Sequence, residues 1–184
     1  MSQNLPSLKR SAAAPVHARL LSRALSLALL ACATAVAVAD QAPALEALER
    51  FPTSVLNIHT REATQWFNVW IADTPARSEQ GLMFVRWLPA NQGMLFPQPA
   101  PHVMSMWMKN TLIPLDMLFV DERGRVVYIR ERATPQSQDI ISAPVPVKAV
   151  LELAGGECAR LGIRVGDQVR HRLFGSAPEG PVRN

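Results

Sequence analysis

The feature that most constrains the fold is the stretch 102–121, in which two apolar runs flank a polar centre. Apolar runs of about four to eight residues between turn-forming residues are typical of buried β-strands. The sequence therefore predicts central strands at Met104–Met108 and Asp116–Val120, joined by a polar connection that contains Pro114. Because an unpaired charge is costly inside a core, Lys109 and Asp116 must either bond other polar groups or serve a ligand.

Short strand patterns continue on both sides of this stretch. Apolar and polar residues alternate through Gln65–Ala72, which is typical of a strand with one side in the core. Thr74 before Pro75 predicts the start of a helix that runs to about Phe84. Further predicted elements are strands at Val55–Thr60, Gly93–Phe96, Arg125–Arg130, Lys148–Leu153 and Gln168–Phe174, a surface connection at Pro97–Pro101, and a second short helix at Glu157–Leu161.

The connections between these strands decide the fold class. Most of them are too short for the crossovers that parallel strands need, so the sheet is predicted to be largely antiparallel. A sheet of this size with few helices to cover it must curl on itself to bury its apolar face. The sequence therefore predicts a mainly β (α+β) fold, a small irregular antiparallel β-barrel with one or two short helices.

The first 39 residues have the pattern of a secretory signal peptide. Basic residues without acidic ones precede an apolar run, and Ala37-Val38-Ala39 fits the small-residue cleavage pattern before Asp40. We therefore expect an exported protein, periplasmic or secreted. As an alternative, the segment that ends at Cys32 resembles a lipobox, and lipidation there would tether the chain to a membrane surface. The remainder is predicted to comprise an arm (40–52), a single domain (53–174) and a disordered tail (175–184).

The charge balance changes when this segment is removed. The chain has 19 basic and 15 acidic residues, and the first 39 residues hold four basic and no acidic ones. The mature chain would therefore have 15 of each and a formal net charge of zero, which gives no support to nucleic-acid binding. Cys158 would be its only cysteine, so no internal disulfide is expected.

Several short sequence motifs resemble those of a known family. They are Thr74, Arg77, Gly81-Leu82-Met83, Arg86, Gly93-Met94-Leu95-Phe96, the long motif Trp107–Asp116 with Phe119, Leu151-Glu152, Gly155, and Gly162-Ile163 to Gly166-Asp167. Together they resemble the bacterial and archaeal family catalogued as domain of unknown function 192, over roughly 69–169. The resemblance implies a compact β-rich, barrel-like domain that is often exported. It implies no established reaction or substrate.

The favoured hypothesis is a pocket for a small polar ligand or glycan around 109–116. Ligand sites are mostly apolar with a few placed polar groups, and Trp107 would add an aromatic wall against which sugars stack. The candidate ligand-binding residues are Lys109, Asn110, Thr111, Asp116, Arg77, Arg86, Trp107 and Glu152. The structural alternative is that Asp116 accepts hydrogen bonds from the Asn110 and Thr111 amides and fixes the loop, while Arg77 pairs with Glu152.

A second hypothesis is Cu(I) binding, which would suit an exported protein. Met104, Met106 and Met108 alternate, and His102 is in phase with them, so one strand face would carry all four side chains. Thioethers select Cu(I). The alternative is that these methionines fill an irregular core, in which case no cofactor is expected.

Two further hypotheses concern catalysis and protein binding. Asp116 and Glu152 could form a hydrolase-type carboxylate pair, or Lys109 could act as a nucleophile, but no recognised catalytic set appears. The sequence therefore favours a non-catalytic protein. Trp66 and Trp70 on the outer face of one strand could bind an envelope protein, or they could be covered by the N-terminal arm.

Overall fold

The computed structural model describes residues 45–177. The predicted signal peptide, the lipobox at Cys32, residues 40–44 of the arm and residues 178–184 of the tail lie outside the described residues. The elements are β1 (Thr53–His59), β2 (Thr64–Ile71), α1 (Pro75–Gln80), β3 (Gln92–His102), β4 (Ser105–Met106), β5 (Leu115–Val120), β6 (Val126–Ala133), β7 (Ile141–Ser142), β8 (Val147–Ala154), α2 (Glu157–Leu161) and β9 (Gln168–Arg170), with 3-10 turns at Leu48–Arg50 and Arg172–Phe174.

Seven of the strands form one curled sheet in the order β6-β5-β8-β3-β2-β1-β9, while β4 and β7 form a separate two-stranded ribbon. All neighbours in the large sheet are antiparallel except β2 and β3, whose crossover contains α1. The two edges meet at one end, where Arg125 bridges Gln168 and the Val126 amide donates to the Asp167 carbonyl at 2.9 Å. The predicted mainly β, barrel-like α+β fold is confirmed.

The sheet separates two hydrophobic cores. The first core lies within the curl and includes Phe67, Leu118 and Leu151. The second core lies on the opposite face of the central strands, under α1 and the loops, and includes Phe96 and Phe119. Because both faces are covered, all six residues of β5 are buried. The sequence run that suggested a buried strand therefore reflects burial on both faces.

Several predicted boundaries are wrong for local reasons. The strand predicted at Met104–Met108 shortens to Ser105–Met106 of β4, because the Met108 amide bonds the Ser137 carbonyl and the chain then turns. Helix α1 begins as predicted, with the Thr74 hydroxyl accepting from the Arg77 amide, but it ends before Gly81, where φ is 49°.

Two strands also differ in length from the prediction. Strand β3 continues through the prolines predicted to form a surface connection, with a register shift between Pro97 and His102 that accommodates them. Strand β9 ends at Arg170, and the chain then forms a 3-10 turn in which the His171 side chain accepts from the Leu173 amide.

Candidate functional site

Glu152 is a buried carboxyl residue at the centre of the large sheet. It lies on β8 directly opposite Met94 of β3 and Met117 of β5, and residues opposite one another on antiparallel strands share a face. Both methionines are fully buried, and Glu152 is 4% exposed. Within residues 45–177 its carboxyl group has no hydrogen-bond or ion-pair partner. Burial alone raises the pKa of Glu152 to about 8.

A cleft opens above this carboxyl group. Its volume is ≈ 60 Å³, which holds several waters at roughly 10–15 Å³ each or a small chemical group. Four of the predicted ligand-binding residues line it, namely Lys109, Thr111, Trp107 and Glu152. The remaining lining residues are Ser78, Glu79, Gln80, Gly81, Leu82, Met83, Phe96, Ser105 and Met106. The structure thus brings half of the predicted set together.

Lys109 and Trp107 form an exposed cationic and aromatic pair in this lining. The Lys109 ammonium lies 5.2 Å from the centroid of the Trp107 ring, a cation–π distance. Lys109 is exposed, and no carboxylate among the described residues pairs with it. The cleft therefore has a charged amine in its lining and a buried acid that does not neutralise it.

Two residues with positive φ hold the segments beside the cleft. Phe84 and Asn110 have φ of 63° and 58°, and the Phe84 amide donates to the Asn110 carbonyl at 2.9 Å. The Asn110 side-chain amide also donates to the Met83 sulfur at 3.8 Å. Asn110 is thus outside the lining but positions it. Non-glycine residues adopt this backbone region at a cost, and such strain is concentrated at functional sites.

Asp116 lies on the other face of the sheet, opposite Leu153. It is 0% exposed, and its carboxylate accepts from the amides of Arg132 at 2.8 Å, Gly156 at 3.0 Å and Cys158 at 2.8 Å. It therefore joins the β8–α2 turn to β6, and no ligand can reach it. The structural alternative describes this role, but the donors differ from the Asn110 and Thr111 amides that the sequence suggested.

Arg77 and Arg86 also lie outside the cleft. Arg77 binds Glu46 at 2.9 Å and Asp73 at 2.7 Å, so the predicted pairing of Arg77 with Glu152 is wrong. These bonds raise the pKa of Arg77 and lower the pKa of Glu46. They attach the N-terminal arm to α1. Arg86 is exposed in the segment that follows Phe84.

The residues of the copper hypothesis are divided between environments. Met104 and Met108 are buried in the second core, Met106 lines the cleft, and His102 is exposed on β3. The shortened β4 removes the common strand face that the sequence predicted, because only Ser105–Met106 is extended and paired. Within residues 45–177 there is no group of three or more His, Cys, Asp or Glu side chains placed to hold a metal ion.

The carboxylate pair of the hydrolase hypothesis does not meet in one cleft. Asp116 and Glu152 belong to neighbouring strands but face opposite sides of the sheet. Cys158 is buried, and burial together with nearby Asp116 raises the pKa of its thiol, which disfavours the nucleophilic thiolate.

The two tryptophans of β2 are half-buried. Trp70 packs against the second core, as does Leu48 of the arm. The N-terminal arm therefore helps to cover this face of the sheet.

The sequence did not predict that the turn after α1 forms one wall of the cleft. Met83 lines the cleft because the helix ends at Gly81, and the positive φ of Phe84 then redirects the chain. Phenylalanine gives no sequence signal for this backbone conformation. Met106 was predicted as a site residue, but for Cu(I) binding.

Fold and cleft together define the class: a small, mainly β, barrel-like protein with a narrow cleft over a buried glutamate. The chain belongs to the family of domain of unknown function 192, described as "Uncharacterized ACR", whose model matches residues 56–171. This match confirms the family resemblance that the sequence motifs indicated.

Two solved structures are similar to this chain. One, from Sinorhizobium meliloti 1021 and described as a candidate transcription regulator, is 38% identical, with a TM-score of 0.65, and the match covers 67% of this chain and 96% of that one. The other is a protein of unknown function from Novosphingobium aromaticivorans DSM 12444, 36% identical, with a TM-score of 0.66 and coverage of 71% and 93%. No curated protein matches the sequence. None of the helices within residues 45–177 has the length and apolar character that a membrane crossing requires.

Proposed function

We propose that this protein binds a small polar ligand or glycan, without catalysis, in the cleft above Glu152, and that it does so as an exported protein of the cell envelope. The export is argued from the sequence of residues 1–39. The observation that carries the binding proposal is the Glu152 carboxyl group, which is 4% exposed yet has no partner among the described residues.

The two buried carboxyl groups of the sheet show why this observation matters. Asp116 is surrounded by backbone amides that satisfy it, as a purely structural acid should be. Glu152 is surrounded by methionines and an opening. Because the Glu152 carboxyl group faces this opening, a ligand can reach it and bond to it directly, which the fully enclosed Asp116 carboxylate does not allow.

The lining of the cleft suits a polar ligand. Thr111 and Ser105 carry hydroxyl groups, Lys109 carries a free ammonium group, and Trp107 offers a ring that is 39% exposed. A few polar groups in a mostly apolar recess are typical of small-molecule sites. An aromatic ring beside them also suits a sugar ring.

The relative described as a transcription regulator does not lead us to propose nucleic-acid binding. Residues 40–184 hold equal numbers of basic and acidic side chains. A nucleic-acid interface needs a concentration of basic charge that this balance does not favour.

Thermal-shift and calorimetric screening of the purified protein with sugars, amino acids and amines tests the proposal. We expect at least one class to bind, with binding lost in Glu152→Gln and in Trp107→Ala. Glu122→Gln, in an exposed turn away from the cleft, is the matched control and should bind normally. A ligand that binds equally well to both cleft variants would lie elsewhere and would contradict the proposal.

A further inference from the structure

We propose that the ligand of this cleft is a short amino acid in its zwitterionic form, with its ammonium group against Glu152 and its carboxylate against Lys109. This inference rests on the proposed function and names the ligand class for the same site. It starts from the two groups of opposite chemistry that the cleft holds without pairing them.

Within residues 45–177 the protein supplies no cation to Glu152. Lys109 lies over the Trp107 ring instead, and Arg130 is exposed two strands away, beyond Met117. The other charged group of the lining is Glu79, which is exposed. No neighbouring charge contributes to the raised pKa of Glu152, which reflects burial alone. An ammonium group delivered by a ligand would therefore be the first partner of this carboxylate.

The surface around Glu152 also restricts the chemistry of the ligand. Besides the carboxyl group, the lining offers the thioethers of Met83 and Met106, while the Trp107 ring already has the Lys109 ammonium group against it. Thioether sulfurs are weak acceptors and cannot donate hydrogen bonds. The interior of the cleft therefore favours a positive group.

The size of the cleft limits the ligand further. A volume of ≈ 60 Å³ suits an ammonium group with a short chain beside Glu152. The exposed Lys109 is then the only basic residue in the lining. It would repel a diamine and attract a ligand whose other end is a carboxylate. A short amino acid has both groups.

The proton balance follows from these contacts. Free Glu152, whose pKa is about 8, holds its proton at pH 6 and binds the ammonium group only as a carboxylate. Each binding event therefore releases about one proton to the buffer at pH 6 and almost none at pH 9. Affinity should rise about tenfold per pH unit up to about pH 8 and then level off.

The test is calorimetry of the full chain with glycine, β-alanine, 4-aminobutyrate and 5-aminovalerate, with butylamine and butyrate as single-charge controls. Titrations at pH 6 in phosphate and in Bis-Tris, which both buffer at this pH and differ in ionisation enthalpy, give the number of protons released. We expect one chain length to bind at least tenfold more tightly than butylamine, and butyrate not to bind. Release near one proton would support the inference.

Two variants separate the roles of the charges. Glu152→Gln keeps the shape of the side chain and should abolish both amino-acid binding and proton release. Lys109→Met should reduce the affinity for the amino acid to that for butylamine, or below, and leave the affinity for butylamine unchanged or higher. Glu122→Gln should match the unmodified protein in every titration.

Other outcomes would overturn the inference in distinguishable ways. A neutral sugar that binds, with loss in Trp107→Ala, while all amino acids fail would leave the proposed function standing and remove the zwitterion. Tight Cu(I) binding lost in Met106→Leu, without amino-acid binding, would replace the ligand class with a soft metal. Absence of binding by every class would remove the inference and the proposed function together.

Discussion

At the scale of single residues, Glu152 and Asp116 are buried carboxyl groups on adjacent strands with opposite environments. Glu152 has two methionines beside it and no donor, whereas Asp116 receives three backbone amides. Burial without donors favours the neutral form of Glu152, whereas an NH₂ group at Asp116 would face amide donors that now bond a carboxylate. The same substitution, acid to amide, should therefore affect stability in opposite directions at these two positions.

For Glu152 the prediction concerns pH. The pKa in the folded state is about 8 and the ordinary value is 4.5, so the folded protein holds a proton that the unfolded chain releases between these values. Stability should therefore be unaffected by Glu152 below about pH 4.5 and fall as pH rises toward 8, by on the order of 4 kcal/mol in total. Urea unfolding at pH 5 and pH 8 measures this.

The Glu152→Gln variant provides the comparison. It cannot ionise, so its unfolding free energy should lose this downward trend, and the variant should be the more stable protein at pH 8. An unmodified protein and a variant whose stabilities change in parallel between pH 5 and pH 8 would contradict the assignment of a raised pKa to Glu152.

For Asp116 the prediction is a loss of stability at neutral pH. Asp116→Asn puts an NH₂ group where one carboxylate oxygen accepts from backbone amides of Gly156 and Cys158. Donors then face donors in a buried place, and we expect a cost of about 3 kcal/mol in unfolding free energy. Chemical denaturation at pH 7 checks it. A variant as stable as the original would show that these amides do not depend on the carboxylate.

At the scale of elements, Arg77 joins the N-terminal arm to α1. Its guanidinium group bonds Glu46, Asp73 and the Arg50 carbonyl, and it lies 5.2 Å from the centroid of the Phe51 ring. The partly exposed acids lie at the surface, where ion pairs contribute little. The contact therefore orders the arm more than it stabilises the whole domain.

The corresponding prediction is that Arg77→Gln leaves global stability nearly unchanged, yet makes the arm easier to cleave. Limited proteolysis near Arg50, followed by mass spectrometry, measures the second effect. Arg86→Gln is the matched control and should behave as the unmodified protein. Because Arg77 is outside the cleft, its variant should keep ligand binding, and loss of binding would restore Arg77 as a site residue.

The elements also show what the sequence could and could not predict. Periodicity identified β2 and the buried β5, and the Thr74 cap identified the start of α1. The extent of β3 past Pro97 depends on β8 as a partner, which local pattern does not reveal. The chemistry of Glu152 depends on strand order, because Met94 and Met117 become its neighbours only when β8 lies between β3 and β5.

At the scale of the whole molecule, the edges of the sheet meet beside Gly124. The amide of Val169 donates to the Gly124 carbonyl at 2.7 Å, and the amide of Gly166 donates to the Val126 carbonyl at 2.8 Å. These bonds join β6 to β9, the two ends of the strand order. Closure satisfies part of the edge backbone that would otherwise be free to pair with another chain. Predicting a barrel from strand count did not identify this contact, since β6 and β9 are far apart in sequence.

The last prediction tests this closure with two glycines of similar backbone conformation. Gly124 and Gly175 have φ of 80° and 71°, so alanine is strained at both. A Cβ at Gly124 would clash with the Val169 carbonyl oxygen, whereas one at Gly175 would meet nothing within 4 Å. Gly175→Ala should therefore cost only the backbone strain, about 1 kcal/mol, whereas Gly124→Ala should cost about 3 kcal/mol or more. In hydrogen exchange, the amides of Val126, Gly166 and Val169 should lose protection in Gly124→Ala alone, because the edges must separate to admit the methyl group. Equal effects of the two substitutions would show that the edges tolerate separation and that the curl of the sheet does not depend on this seam.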